Sequence, residues 1–140
     1  MNDRAVTGTF TVTLHVSADK VAAVLQGIAA DSKLSSGLAK SAWPGRFLLL
    51  GRNPVGTLPM FGIIAVDPVI ERDVALSHED CVSPNERLST TECTLTVETR
   101  LDPTLRPLHW TKSVYLRQCN AAAAIIGRDV VAQIEKDLTL

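Results

Sequence analysis

From Asn120 to Leu138 apolar side chains return every fourth position: Ala122, Ile126, Val130, Ile134 and Leu138, with Ala123 and Val131 broadening the stripe. Arg128, Asp129, Glu135 and Lys136 occupy positions between them. A stripe of that width belongs to an amphipathic helix that has to bury one face. Because this helix closes the chain, the elements before it must supply the apolar surface. Asn120 is able to cap its start. Gly127 interrupts the stripe at a cost of about 1 kcal/mol against alanine. It is expected to admit close approach of the sheet or to leave space for something bound.

The earlier sequence reads mostly as strands. Phe10, Val12, Leu14 and Val16 alternate with Thr9, Thr11, Thr13 and His15, which predicts a half-buried strand from Gly8 to Val16 with His15 on its polar face. The period then changes. Ser17 is a good N-cap, and Val21, Val24, Leu25 and Ile28 predict a helix from about Ala18 to Ala30. Asp31-Ser32, with Leu34 and Leu38 on one side, reads as a second short helix, and Trp43-Pro44-Gly45 as a turn. Strands follow at Phe47–Leu50, Gly56–Val66, Val69–His78 and Leu88–Leu101, with Asp67-Pro68 closing the second of them. In the third, Ile70, Val74 and Leu76 share a face with Arg72 and His78, and a bulge before Arg72 would reverse that face. In the last, Cys93, Leu95, Val97 and Leu101 point one way and Glu92, Thr94, Thr96, Glu98 and Arg100 the other. Residues 108–117 fit either a strand or the start of the final helix; Thr111, Val114 and Tyr115 favour a strand.

Hydrophobic residues make up 46% of the 140 and charged residues 21%, enough core for one domain spanning 1–140. A net charge of -1 removes the basic footprint of a general nucleic-acid binder. No apolar stretch approaches the roughly 18–20 residues that span a bilayer. The opening Met1-Asn2-Asp3-Arg4 is not followed by the apolar region of a signal peptide. Cys81, Cys93 and Cys119, odd in number and irregular in spacing, suit reduced thiols, so the expected location is cytoplasmic.

Strand, two helices, antiparallel strands and a long last helix make an order that resembles the helix-grip architecture of the START-like, or SRPBCC, superfamily. That group includes polyketide cyclases and dehydrases, lipid-transfer domains and plant hormone-binding proteins. The entry Thr11-Val12-Thr13-Leu14-His15-Val16-Ser17-Ala18-Asp19-Lys20-Val21 and the close Val131-Ala132-Gln133-Ile134-Glu135-Lys136-Asp137-Leu138 look like the superfamily's usual ones. A hot-dog fold has its long helix early, wrapped by the sheet, whereas here the longest helix is last. The resemblance implies an α+β fold: a curved antiparallel sheet, two short helices after the first strand and a long C-terminal helix across the concave face. It also implies an internal cavity for a hydrophobic small molecule.

The inward sets name the expected cavity walls: Val12, Leu14, Ile70, Val74, Leu95, Val97, Ile126 and Val130. Arg72, His78 and Lys112 are cations or potential cations on otherwise apolar faces, able to orient an anionic oxygen of a ligand. His78, with a reference pKa near neutrality, is the candidate acid–base catalyst. Trp110 is a candidate to stack on a ligand, or else a core residue. His15, His78 and His109 are far apart and lie in no metal-ligand spacing, so no metal and no cofactor is expected. There is no GxSxG elbow and no glycine-rich phosphate loop. The expected function is binding of a hydrophobic small molecule in an internal cavity, as a polyketide cyclase/dehydrase-type enzyme. Alternatives are a non-catalytic lipid or small-molecule carrier, or a protein-interaction domain with a filled core. The sequence does not set the oligomeric state.

Overall fold

Alternation at the N-terminus builds β1 (Gly8–Leu14), with Thr9, Thr11 and Thr13 outward and Phe10, Val12 and Leu14 toward the core. The structure is a computed structural model that describes residues 7–31, 38–50, 52–73 and 85–139, with the backbone alone at 31, 71–73 and 85–86. His15 follows β1 on the surface, 3.6 Å from Glu92. The chain then enters α1 (Ala18–Asp31), where Ser17 Oγ accepts the Lys20 N–H at 3.3 Å and Asp19 complements the helix dipole in the first turn. Val21, Leu25 and Ile28 are fully buried, as their spacing predicts.

Short strands β2 (Leu38–Lys40) and β3 (Arg46–Leu49) precede two long ones, β4 (Met60–Asp73) and β5 (Asn85–Leu101). All pair antiparallel in the order β1-β5-β4-β3-β2. A 3-10 turn at Pro103–Leu105 leads to α2 (Lys112–Asp137). Among the described residues the fold is therefore α+β: an open five-stranded antiparallel sheet and two helices, the long one last. One core joins the inner side chains of the sheet to both helices. No helix among the described residues is long and apolar enough to cross a membrane.

Four expectations are corrected. Leu38 belongs to β2, not to a second helix; residues 32–37 lie outside the described residues. Asp67-Pro68 does not end a strand, because β4 runs through it. Proline is tolerated there because β3 stops at the Arg46–Ala65 pair, so beyond Ala65 β4 has one strand neighbour. Residues 108–117 are not a strand. Thr111 caps α2, its Oγ1 accepting the Val114 N–H at 3.2 Å. Tyr115 and Cys119 extend the buried ladder of Ala122, Ala123, Ile126, Val130 and Ile134 back by two turns. Asn120 is consequently not a cap: it lies inside α2, and its Oδ1 accepts the Thr9 N–H at 3.0 Å, tying the helix to β1.

Other ties fix the same seat. Thr99, fully buried in β5, donates its hydroxyl to the Cys119 carbonyl at 2.6 Å. The buried Tyr115 hydroxyl donates to the Leu101 carbonyl. Burial is the main cause that pushes the Tyr115 phenol up to about 12, helped by the neighbouring Cys119. Cys93 and Cys119 are buried free thiols, and burial raises the Cys93 thiol; Cys81 lies outside the described residues.

Candidate binding cleft

The residues singled out for an internal site divide into groups. Leu95, Val97, Ile126 and Val130 are fully buried core side chains between the sheet and α2. Leu14 is buried with them and Val12 half-buried against them. Gly127 belongs to that packing: a Cβ there would stand 2.1 Å from Cδ1 of Phe10.

Ile70 is not on the inner face. Between the pairs Pro68–Cys93 and Ile70–Leu88, β4 supplies Val69 alone while β5 supplies four residues, Ser89–Glu92. This bulge re-aims the strand, and Ile70 and Leu88 are 58% and 63% exposed. Arg72 lies in β4 opposite Glu86, with its side chain outside the described set; Val74 and His78 lie wholly outside the described residues. Lys112 is the exposed first residue of α2 rather than a break in a strand face. Trp110 is half-buried against the core.

The bulge creates a different concavity. A cleft of about 660 Å³ opens between the first turns of α1, the β2–β3 turn, and the bent stretch of β4 and β5. Ala18, Ala22 and Ala23 form its α1 wall, and their small side chains leave the space. Val66, Pro68 and Leu88 supply apolar surface opposite. Ser17, Asp19, Gln26, Ser89 and Thr90 supply polar groups. Ser89 is held by the bulge itself, its Oγ accepting the N–H groups of Thr91 at 3.2 Å and Glu92 at 3.1 Å. Those amides lie outside the β4–β5 pairing register, so the hydroxyl supplies them with a partner.

The β2–β3 turn is equally defined. Ser41 Oγ accepts the Trp43 N–H at 3.1 Å and donates to the Arg46 carbonyl at 2.8 Å. Gly45 sits at φ 71°, in the left-handed region, and a Cβ there would meet the Val66 carbonyl oxygen at 2.7 Å. That carbonyl's residue donates its own N–H to Gly45 O at 2.8 Å, clamping the turn onto β4. A second hollow of about 310 Å³, bordered by Trp43, Lys40 and Phe47, shares Gln26, Pro44 and Gly45 with the cleft.

Asp19 and Asp67 are the titratable residues on the cleft wall, and Asp67 Oδ1 is engaged by Arg46 Nη1 at 3.0 Å. This lining provides hydrogen bonds and apolar contact, without an imidazole or thiol beside the carboxylates among the described residues. Among the described residues no three His, Cys, Asp or Glu side chains converge as metal ligands. The cleft was hidden in the sequence because its main cause is the bulge. The legible trace is the Ala18/Ala22 pair at helical spacing, flanking the buried stripe of Val21, Leu25 and Ile28.

The chain matches no family model and no curated protein. The crystal structure of a conserved protein from Geobacillus kaustophilus is similar over 95% of both chains, at 11% identity and a TM-score of 0.44.

Proposed function

We propose that this chain binds a small amphipathic molecule, an apolar body with a hydrogen-bonding end, in the cleft between α1 and the bulge of β4 and β5. The observation that carries this reading is the cleft's volume, about 660 Å³, joined to its mixed wall of alanine, proline, valine and leucine beside serine, threonine and glutamine groups. Small-molecule sites are typically about 300–1,000 Å³, mostly apolar, with a few placed polar groups. Order and topology support a helix-grip protein of the START-like kind: β1, a helix, antiparallel strands, then the long α2 packed on β1 and β5. Among the described residues, the carboxylates of the cleft wall have no imidazole, thiol or amine beside them, which supports carriage over cyclase or dehydrase catalysis.

The test uses naphthol, a rigid apolar body with one hydroxyl. Titrated into nitrogen-labelled full chain, it is expected to shift the amide signals of Ala22, Ala23, Gly45 and Thr90. Ala23 is exposed, so Ala23→Trp fills the cleft without disturbing the core. It is expected to weaken naphthol at least tenfold, a change of about 1.4 kcal/mol, with the circular dichroism spectrum and melting midpoint retained. Shifts confined to other residues, or unchanged affinity in Ala23→Trp, would refute the site.

A further inference from the structure

At the end of the sheet away from the cleft, the chain leaves β5 through two successive turns, each opened by proline. Arg106 N–H reaches back to the Pro103 carbonyl at 3.4 Å, and Trp110 N–H to the Pro107 carbonyl at 3.0 Å. Leu105 is held on the first turn and Leu108 at the corner of the second. Leu105 is 57% exposed and Leu108 completely so, at 103%. Two leucines displayed in water on a proline-braced loop are not core side chains that missed their place.

Their surroundings are cationic. From Pro103 to Arg128 the sequence contains Arg106, Lys112, Arg117 and Arg128 and no Asp or Glu, in a chain whose net charge is -1. The nearest carboxylate before the segment, Asp102, is occupied in its own turn, accepting the Thr104 N–H at 2.9 Å and hydroxyl at 2.7 Å. Arg106 is steadied over the Tyr115 ring, 5.8 Å from its centre. Lys112 stands in the first turn of α2, which has no acidic residue. The helix dipole disfavours a cation there, so local helix stability does not account for it. Leu116, four residues on and therefore on the same side, is also exposed.

We propose that this loop and the first turns of α2 form a docking surface for a bilayer of anionic phospholipid. Leu105 and Leu108 enter the headgroup region, and Arg106, Lys112 and Arg117 meet the lipid phosphates and carboxylates. Trp110 follows them in the same loop, half-buried against the core, and indole rings favour the membrane boundary. The loop is already ordered, so docking does not require folding a segment. Charge complementarity selects the partner. A second copy presenting the same surface would oppose cation to cation, whereas each Lys or Arg near an anionic leaflet strengthens binding about fivefold.

The test is sedimentation of the full chain with vesicles of phosphatidylcholine, alone or with about 30 mol % phosphatidylserine, a strongly anionic surface. Binding is expected to the mixed vesicles and not to the neutral ones, and to fall as salt is raised. Leu105→Ser with Leu108→Ser removes side chains that are already in water, so the fold is retained while vesicle affinity drops at least tenfold. Lys112→Glu with Arg117→Glu gives the same loss, and the acid at position 112 suits the helix dipole, so unfolding does not explain it. The chain has two tryptophans, so Trp43→Phe leaves Trp110 alone to report docking by a blue shift on the acidic vesicles. No binding to acidic vesicles, equal binding to both compositions, or leucine variants that bind like the wild type would overturn the proposal.

Discussion

Gly127 shows how a single residue can carry a constraint that its helix propensity opposes. Glycine weakens α2 by about 1 kcal/mol relative to alanine, yet the Phe10 ring occupies the place a Cβ would take, 2.1 Å from Cδ1. Gly127→Ala is therefore expected to destabilise the chain by about 1–3 kcal/mol, the range for overpacking a filled core. Urea denaturation checks the sign. A stabilised Gly127→Ala would mean that the ring moves aside freely. Phe10→Ala in the same chain should relieve the clash, so the double variant is expected to lose less than the two single losses together. Close approach of the sheet was one of two roles the sequence left open for Gly127. Choosing between them required the position of Phe10, which is 117 residues away in the chain, and no local pattern encodes that.

At the scale of elements, legibility followed the length of the pattern. The threonine alternation of β1, the Val21/Leu25/Ile28 spacing of α1 and the ladder of α2 repeat often enough to identify themselves. Residues 108–117 failed because Leu108, Trp110, Val114 and Leu116 alternate by coincidence, while the residues that are buried, Tyr115 and Cys119, keep helical spacing. The bulge failed for another reason: register is a property of two strands, and only the pairing of Ile70 with Leu88 reveals it. Ile70 thus faces outward, and the candidate site lies beside α1 rather than under α2. The start of α2 gives a direct check. Thr111→Ala removes the cap on the Val114 N–H and is expected to cost about 1 kcal/mol. If the helix began near Asn120 instead, Thr111→Ala would be neutral in urea melts.

Across the whole molecule, the sheet sets two surfaces apart. The cleft lies at Leu88, Ser89 and Thr90, near the start of β5, and the leucine-bearing turns follow its end at Leu101. Leu88 and Leu101 pair with Ile70 and Met60 of β4, ten strand steps apart and therefore on the order of 30 Å at the usual rise. No side chain reaches across that span, and the core between is filled by Leu95, Val97 and the α2 stripe. Substitutions at the two ends should then act independently, since sites more than about 7–10 Å apart without shared partners add to within about 0.5 kcal/mol. Ala23→Trp is expected to leave vesicle sedimentation unchanged, and the Leu105→Ser, Leu108→Ser pair to leave naphthol affinity unchanged. The combined variant should melt where the separate shifts add. Coupling beyond about 0.5 kcal/mol would require the twist of β5 itself to respond to an occupant, because β5 is the strand that runs from one surface to the other and pairs with both β1 and β4 along the way. Naphthol affinity measured on vesicle-bound protein decides between a rigid sheet carrying two separate surfaces and a sheet that links cargo to docking.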